Sequence, residues 1–322
     1  MFPLLLAASP LDSFGRHTAE TGPLYSHASW TPARVEWAKK RLPVALKSVE
    51  ARLGRKFGGK FTTILAGDFR DFEQLATAYG ARRVGDTTRG IAFPGRRTII
   101  VRGDRYIDDL PGDPVSRTLS HEIAHLVIHH GAKGEIPKWL DEGAAVWASK
   151  GAISPKSAAE LGFLARTGGL YHFQTLEDSF PQGHYPTSIA YQQSYLIVEF
   201  LVEEYGDDVV AKFLEKLRPN ATSAEIFLEV SGGETLKEFE KRFSPWVIGR
   251  YSAFGIIGVI LSNPWVLVSL LAVLAILRSI WKRRRLMKRL EAEEERYFAR
   301  HPEERPIRPD SGESPPDGTA SA

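Results

Sequence analysis

Apolar residues recur at helical spacing between Trp30 and Leu53, at Val35, Leu42, Leu46, Val49 and Leu53. Thr31-Pro32 supplies a cap and a first-turn proline, so this stretch is predicted to be a helix, kinked at Pro43 and ended by Gly58-Gly59. Phe61 to Ala66 alternates and is rich in β-formers, which predicts a strand. Asp68 caps a short helix to Tyr79, with Gly80 as its stop. Strands follow at Ile91-Ala-Phe93 and Thr98 to Val101, joined by a Pro94-Gly95 turn. Helical patterns then dominate. Asp113-Pro114 opens one that runs to His130, and Pro137 opens another to about Lys150. Further helices are predicted at Ser188 to Tyr205, Asp207 to Leu217, Ser223 to Val230 and Glu234 to Phe243. Strands early and helices late make an α+β architecture, with a small N-terminal sheet and a mostly helical C-terminal part.

The pattern changes after Trp246. Tyr251 to Leu277 is a run of 27 residues without a charge, and a membrane span needs about 20 such residues. Trp265 and Trp281 stand where interfacial aromatics are expected, and Lys282-Arg-Arg-Arg285 follows. One transmembrane helix is therefore expected over 251–281, with its core at 264–281, and Asn263-Pro264 is expected to break the run so that Phe254 to Leu261 forms an interfacial helix or a kinked extension. The positive-inside rule would put the basic and then disordered tail, 282–322, in the cytoplasm of a single-pass cell-membrane protein. The domain at 30–248 would lie outside the cytoplasm. Residues 1–29 read as an N-terminal segment whose apolar start, Phe2 to Ala8, is either a short export signal or a strand or loop.

Charge and composition sharpen this. The net charge is +3. Seven basic residues and no acidic ones lie between Arg278 and Arg289, so the rest of the chain sums to 3 − 7 = −4. Their place directly after the apolar run points to a membrane contact and not to nucleic acid. The 43% hydrophobic content supports a globular core. The chain has no cysteine, which removes disulfide scaffolds, thiolate metal sites and cysteine nucleophiles.

The chemistry centres on His121-Glu122-Ile-Ala-His125. On a helix the two histidines are i,i+4, so both imidazoles project from one face and can grip one ion. Glu122 lies about 100° round the axis, where it can reach a water without being a ligand. Leu119, Ile123, Leu126 and Val127 give this helix a buried side. A hydrolase site needs a third ligand, and Glu142 in Pro137-Lys-Trp-Leu-Asp-Glu-Gly-Ala-Ala145 is the candidate. A hairpin over Gly131 to Ile136 can bring the two helices antiparallel. Asp141 is the adjacent competitor and reads more readily as a surface charge. The metzincin continuation fails, because positions 128 and 131 are Ile and Gly. His129 and His130 read as helix-end histidines favoured by the dipole.

These residues carry a family resemblance. HEIAH, the Pro-Lys-Trp-Leu-Asp-Glu-Gly-Ala-Ala segment and the later Ala-Tyr-Gln-Gln-Ser-Tyr helix resemble the gluzincin peptidases. The similarity is closest to the peptidase MA-like group of bacterial proteins, and more distant to the thermolysin-like catalytic domain of zinc aminopeptidases. It covers roughly residues 61–243. The resemblance implies a thermolysin-like zincin domain with one Zn2+ per chain held by His121, His125 and Glu142. It implies Glu122 as general base and Tyr191 as oxyanion donor, with Tyr195 the alternative one turn on. Two departures stand out. Phe93 occupies the place of the glutamate that binds a substrate's free amine in the aminopeptidases, which argues against that exopeptidase mode. Val146 occupies the place of a carboxylate that supports a ligand histidine in many gluzincins, so another group must orient the imidazole. Thr98 to Val101 is the expected edge strand for an extended peptide.

The expectation is thus a membrane-anchored zinc metallopeptidase, an endopeptidase acting on a peptide or protein substrate. The alternatives are a non-catalytic zinc-containing module of the same fold that binds peptide or protein, and a membrane-tethered signalling protein whose tail is the active part.

Overall fold

The structure is a computed structural model that describes residues 10–82, 84–104, 114–262 and 264–302. The chain divides into two compact units, 1–258 and 259–322. The apolar start at Phe2 to Ala8, the cap position Asp113 and the Pro- and Ser-rich stretch from 303 lie outside the described residues.

The first unit opens with a hairpin, β1 (Gly15–Ala19) and β2 (Gly22–Ser26), paired antiparallel. Helix α1 (Pro32–Leu53) follows, capped by the Thr31 side chain on Arg34 N. Pro43 lies inside it without ending it. It stops at Gly54, in the left-handed conformation, and not at Gly58-Gly59. Strand β3 (Thr62–Ala66), helix α2 (Phe69–Ala78), strand β4 (Gly90–Phe93) and strand β5 (Thr98–Arg102) complete a five-stranded sheet of order β1-β2-β3-β5-β4. β2, β3 and β5 run parallel, and β4 pairs antiparallel to β5.

β3 and β5 are buried on both faces, which is why they read as continuous apolar runs. Leu65, Ile99 and Val101 face the main core with α1, while Ile64, Ala66 and Ile100 face Phe72 and Leu75 of α2. This placement corrects one expectation. β5 is not an edge strand, because β3 and β4 flank it. The edge strands are β1 and, on the β5 side, β4, the strand that Gly90 starts.

Helices make up the rest: α3 (Pro114–His129), α4 (Lys138–Ala148), α5 (Pro155–Thr167), α6 (His184–Tyr205), α7 (Val209–Lys216), α8 (Ser223–Val230) and α9 (Leu236–Ser262). α3 packs on α1, α4 on α3, and α4 most closely on α6. Trp139 explains part of that order. It is fully buried, with ring centroids 5.9 Å from Phe213 and 6.1 Å from Phe173, so it anchors α4 in the aromatic core. Gly143 explains another part. A Cβ there would collide with the carbonyl oxygen of Ser194 on α6. Helix propensity alone favours Ala over Gly by about 1 kcal/mol. The collision outweighs it, so Gly143→Ala is expected to destabilise the fold by roughly 1–3 kcal/mol, read as a lowered Tm in thermal denaturation. An unchanged or raised Tm would show that α6 can give way.

The expected transmembrane helix is overturned. Among the described residues no helix is long and apolar enough to cross a membrane. The uncharged run is split between two helices, with α9 ending at Ser262 and α10 (Pro264–Arg300) beginning two residues later. Proline lacks the N–H that a continuing helix needs, and it suits a first helical position. Within α10 the uncharged part is only Pro264 to Leu277, 14 residues, which spans about 21 Å against a hydrocarbon core of about 30 Å. The charged stretch from Glu291, expected to be disordered, continues α10 as far as Arg300.

Candidate metal centre

α3 and α4 bring His121, His125 and Glu142 together. His121 Nε2 and His125 Nε2 lie 3.2 Å apart. Glu142 Oε2 lies 3.6 Å from the first and 3.5 Å from the second. Two donors about 2.0–2.1 Å from a tetrahedral zinc lie about 3.3 Å apart, so this trio has the spacing of a metal cradle. His125, Glu122 and Glu142 are buried, and His121 is partly open to the cleft. The apolar positions Leu119, Ile123, Leu126 and Val127 are all buried, which turns the motif side of α3 towards α4 and the cleft.

Asp141 is no surface charge. It is buried, and its Oδ1 accepts from His125 Nδ1 at 2.7 Å. It therefore does the orienting that Val146 cannot. His129, one turn after His125, lies in the cleft with Nε2 3.3 Å from the same oxygen. His125, His129 and Asp141 form a second group close enough for an ion, but the 2.7 Å hydrogen bond already uses the His125–Asp141 pair. His130 is a helix-end residue whose carbonyl accepts from Arg55 at 2.7 Å.

The electrostatics follow from burial and pairing. Burial opposes a charged His125, but Asp141 and Glu142 outweigh it and hold its pKa well above the usual histidine range. The carboxyls of Asp141 and Glu142 are disfavoured by burial, yet the positive His125 holds both below the usual carboxylate range. Glu122 goes the other way. Burial raises its pKa more than the two motif histidines lower it, which makes it the stronger base of the three carboxylates.

Tyr191 of α6 lines the same cleft, and its O–H donates to Glu142 Oε1 at 3.3 Å. Burial and the nearby Glu142 raise its pKa, so it stays a protonated donor. Tyr195 is buried beside Glu199 and outside the cleft lining, with its pKa pushed up to about 12 by burial first and then by Glu199. Gln193, fully buried between them, donates to Tyr171 O at 2.6 Å and accepts from Tyr171 N at 2.9 Å.

The cleft holds about 560 Å³, and its far wall is the loop before β4 and β4 itself. Gly90 is required there, since a Cβ would lie 2.7 Å from Glu122 Oε1. Arg102, buried, fastens that wall. Its guanidinium grips Asp104 at 2.7 and 2.9 Å and donates to the carbonyls of Asp86 and Thr88 at 2.5 and 3.0 Å. Lys138 also lines the cleft, its Nζ 2.6 Å from Glu142 Oε1. Sequence spacing placed the two histidines, Glu122 and Glu142 on facing helices. It carried no signal for Arg102 or Lys138.

Residues 83–249 match the family model of the Peptidase MA superfamily, just over half of the chain. Among curated proteins none matches.

Proposed function

The chain belongs to the Peptidase MA superfamily, and on that premise we propose that it is a zinc-dependent endopeptidase with one metal ion per chain. The observation that carries this reading is the trio of donor atoms within 3.6 Å of one another, with Glu122 on the adjacent side of the cleft. Two neutral imidazoles and a carboxylate suit zinc, and three protein ligands leave the open position of a catalytic site. When bound, the ion supplies Lewis acidity that polarises a carbonyl and acidifies water.

The chain's own groups supply the rest. Glu122 takes the proton from the attacking water and passes it to the leaving amine. Tyr191 donates to the oxygen that gains negative charge. Asp141 keeps the Nδ1 proton of His125 in place, so that Nε2 stays the ligating nitrogen. β4 offers a sheet edge along the cleft on which an extended peptide adds as a further strand. Phe93 lies on β4 without a carboxylate for a free amine, which favours cutting inside a chain. The test is digestion of a peptide library by the zinc-loaded protein. A purified chain without zinc, or zinc without cleavage, sinks the reading. Zinc without cleavage is also the result that the non-catalytic alternative requires.

A membrane surface is the proposed partner of α10. Leu271, Leu274, Leu277, Ile280 and Trp281 are exposed, and the seven basic residues from Arg278 to Arg289 overlap and continue this stretch. Each basic residue near an anionic bilayer contributes about 1 kcal/mol, screened by salt. Co-sedimentation with anionic vesicles, lost with neutral vesicles or at high salt, is the expected result. Equal binding to neutral vesicles would discard the electrostatic part of the proposal.

A further inference from the structure

Lys138 sits where an ordinary helix would not put it. It is the first residue of α4, where the helix dipole disfavours a cation. Its acidic partner lies four residues towards the C-terminus, the weaker order for an i,i+4 pair. Yet its side chain is largely covered, and its Nζ meets Glu142 Oε1 at 2.6 Å. Asp141 is a looser neighbour, at 3.9 Å. A residue that breaks two local rules at the floor of a cleft calls for a reason in the site.

The reason lies in how the two oxygens of Glu142 are used. Oε2 faces the imidazole nitrogens, 3.5 and 3.6 Å away. Oε1 faces the other way and accepts from Lys138 at 2.6 Å and from Tyr191 at 3.3 Å. Carboxylates can bind an ion with one oxygen or with both. Two imidazoles and a two-oxygen carboxylate already fill a tetrahedral ion, and nothing is left for water or substrate.

We propose that Lys138 is a positioning residue that keeps Glu142 to one-oxygen coordination, so that the fourth position of the ion stays open. The proposal rests on the zinc-site reading above and adds the group that fixes its coordination number. Tyr191 cannot do this alone. Its hydroxyl is the weaker contact, and in the proposed reaction it turns to the developing oxyanion. The ammonium bond to Oε1 is charge-assisted and stays in place when the tyrosine leaves. The link is also preformed, because Lys138 and Glu142 share one face of one helix.

The experiment compares zinc-loaded crystal structures and steady-state kinetics of the full chain with those of Lys138→Met, Lys138→Gln and Lys138→Arg. In the wild type one Glu142 oxygen is expected at bonding distance from zinc. In the Met and Gln variants both oxygens are expected there, zinc still bound, with kcat down about 10- to 100-fold and KM nearly unchanged. Arg, which keeps the charged donor, is expected to restore one-oxygen binding and most of the rate. Lys138 is partly open to the cleft, so its loss leaves no buried hole. Should the Met variant fail to fold, the Gln variant carries the comparison. A wild type that binds no zinc overturns the metal-site reading and this proposal together. A zinc-bound wild type whose Met and Gln variants keep the same coordination and the same kcat overturns this proposal alone.

Discussion

Glu122→Gln is expected to keep one zinc per chain and to lose peptide hydrolysis by a factor of about 10²–10⁴, the usual contribution of a positioned general base. The separation of the two effects follows from the geometry. Glu122 is not among the three converging donors, so the amide leaves the cradle of His121, His125 and Glu142 intact. The change is also close to isosteric, which matters because Gly90 has no room to spare beside that side chain. What is removed is a carboxylate whose pKa burial holds above its usual value. Zinc content by elemental analysis and turnover on a peptide substrate read the two effects independently. Loss of zinc in the variant would make Glu122 a ligand. Full activity would remove it from the mechanism.

Asp141→Asn is expected to weaken zinc binding about 10- to 100-fold while leaving the three ligands in place. The aspartate holds His125 by a 2.7 Å hydrogen bond and both side chains are buried, so its charge acts with little screening. The pH dependence can be worked out from the shifts. In the metal-free protein the charged His125 has a raised pKa, so its contribution to stability is full below the unfolded value near 6.5. That contribution is lost as pH rises through the raised folded value. Asp141 and Glu142 have lowered values. Their contribution is present above the ordinary carboxylate range and is lost as pH falls through the lowered values. The metal competes with the proton on His125, so zinc retention is expected to improve as pH rises through the raised histidine value. Competition with a chelator across pH, for wild type and Asp141→Asn, measures both effects. Equal affinities for the two proteins would leave Asp141 with a packing role only.

Much of the helical scaffold was legible in the sequence because it rests on local signals. Thr31-Pro32, Asp68 and Gly206 mark helix ends through their own side chains or backbone freedom, and the structure uses them at those ends. The pairing of HEIAH with Trp-Leu-Asp-Glu-Gly was legible for the same reason, since i,i+4 spacing and a short hairpin leave few arrangements. The rest depended on non-local facts. β1 and β2 are short and partly polar, and pairing makes them strands, β2 against β3 and β1 against β2. Which of β4 and β5 forms the edge is decided by pairing across the sheet, not by composition. Asp141 and Glu142 are neighbours of like charge, and nothing local says that both point inward. Both do so because Trp139 and Leu140 take the core side of α4 while Gly143 lets α6 close over it. The break at Asn263-Pro264 was legible from the proline, but the span was still expected because the Trp flanks and the basic run outweighed the shortness of the apolar part that remains in one helix. The joint before Pro264 halves the run.

The metal cradle, its orienting aspartate and the lysine on its outer oxygen all come from residues 121–142, 22 consecutive positions. Closing so short a loop costs little chain entropy compared with pairing β2 to β3 or β3 to β5 across the sequence. The far wall of the cleft and Tyr191 come from elsewhere, the wall ending 26 residues before His121 at Gly95 and Tyr191 lying 49 after Glu142. In the proposed mechanism, metal binding and peptide cleavage therefore draw on different spans of the chain. A change confined to the β4 edge or to the Tyr191 hydroxyl is therefore expected to leave metal binding in place while removing the proposed cleavage. Metal content alone would thus report the integrity of one helical hairpin and not the proposed activity.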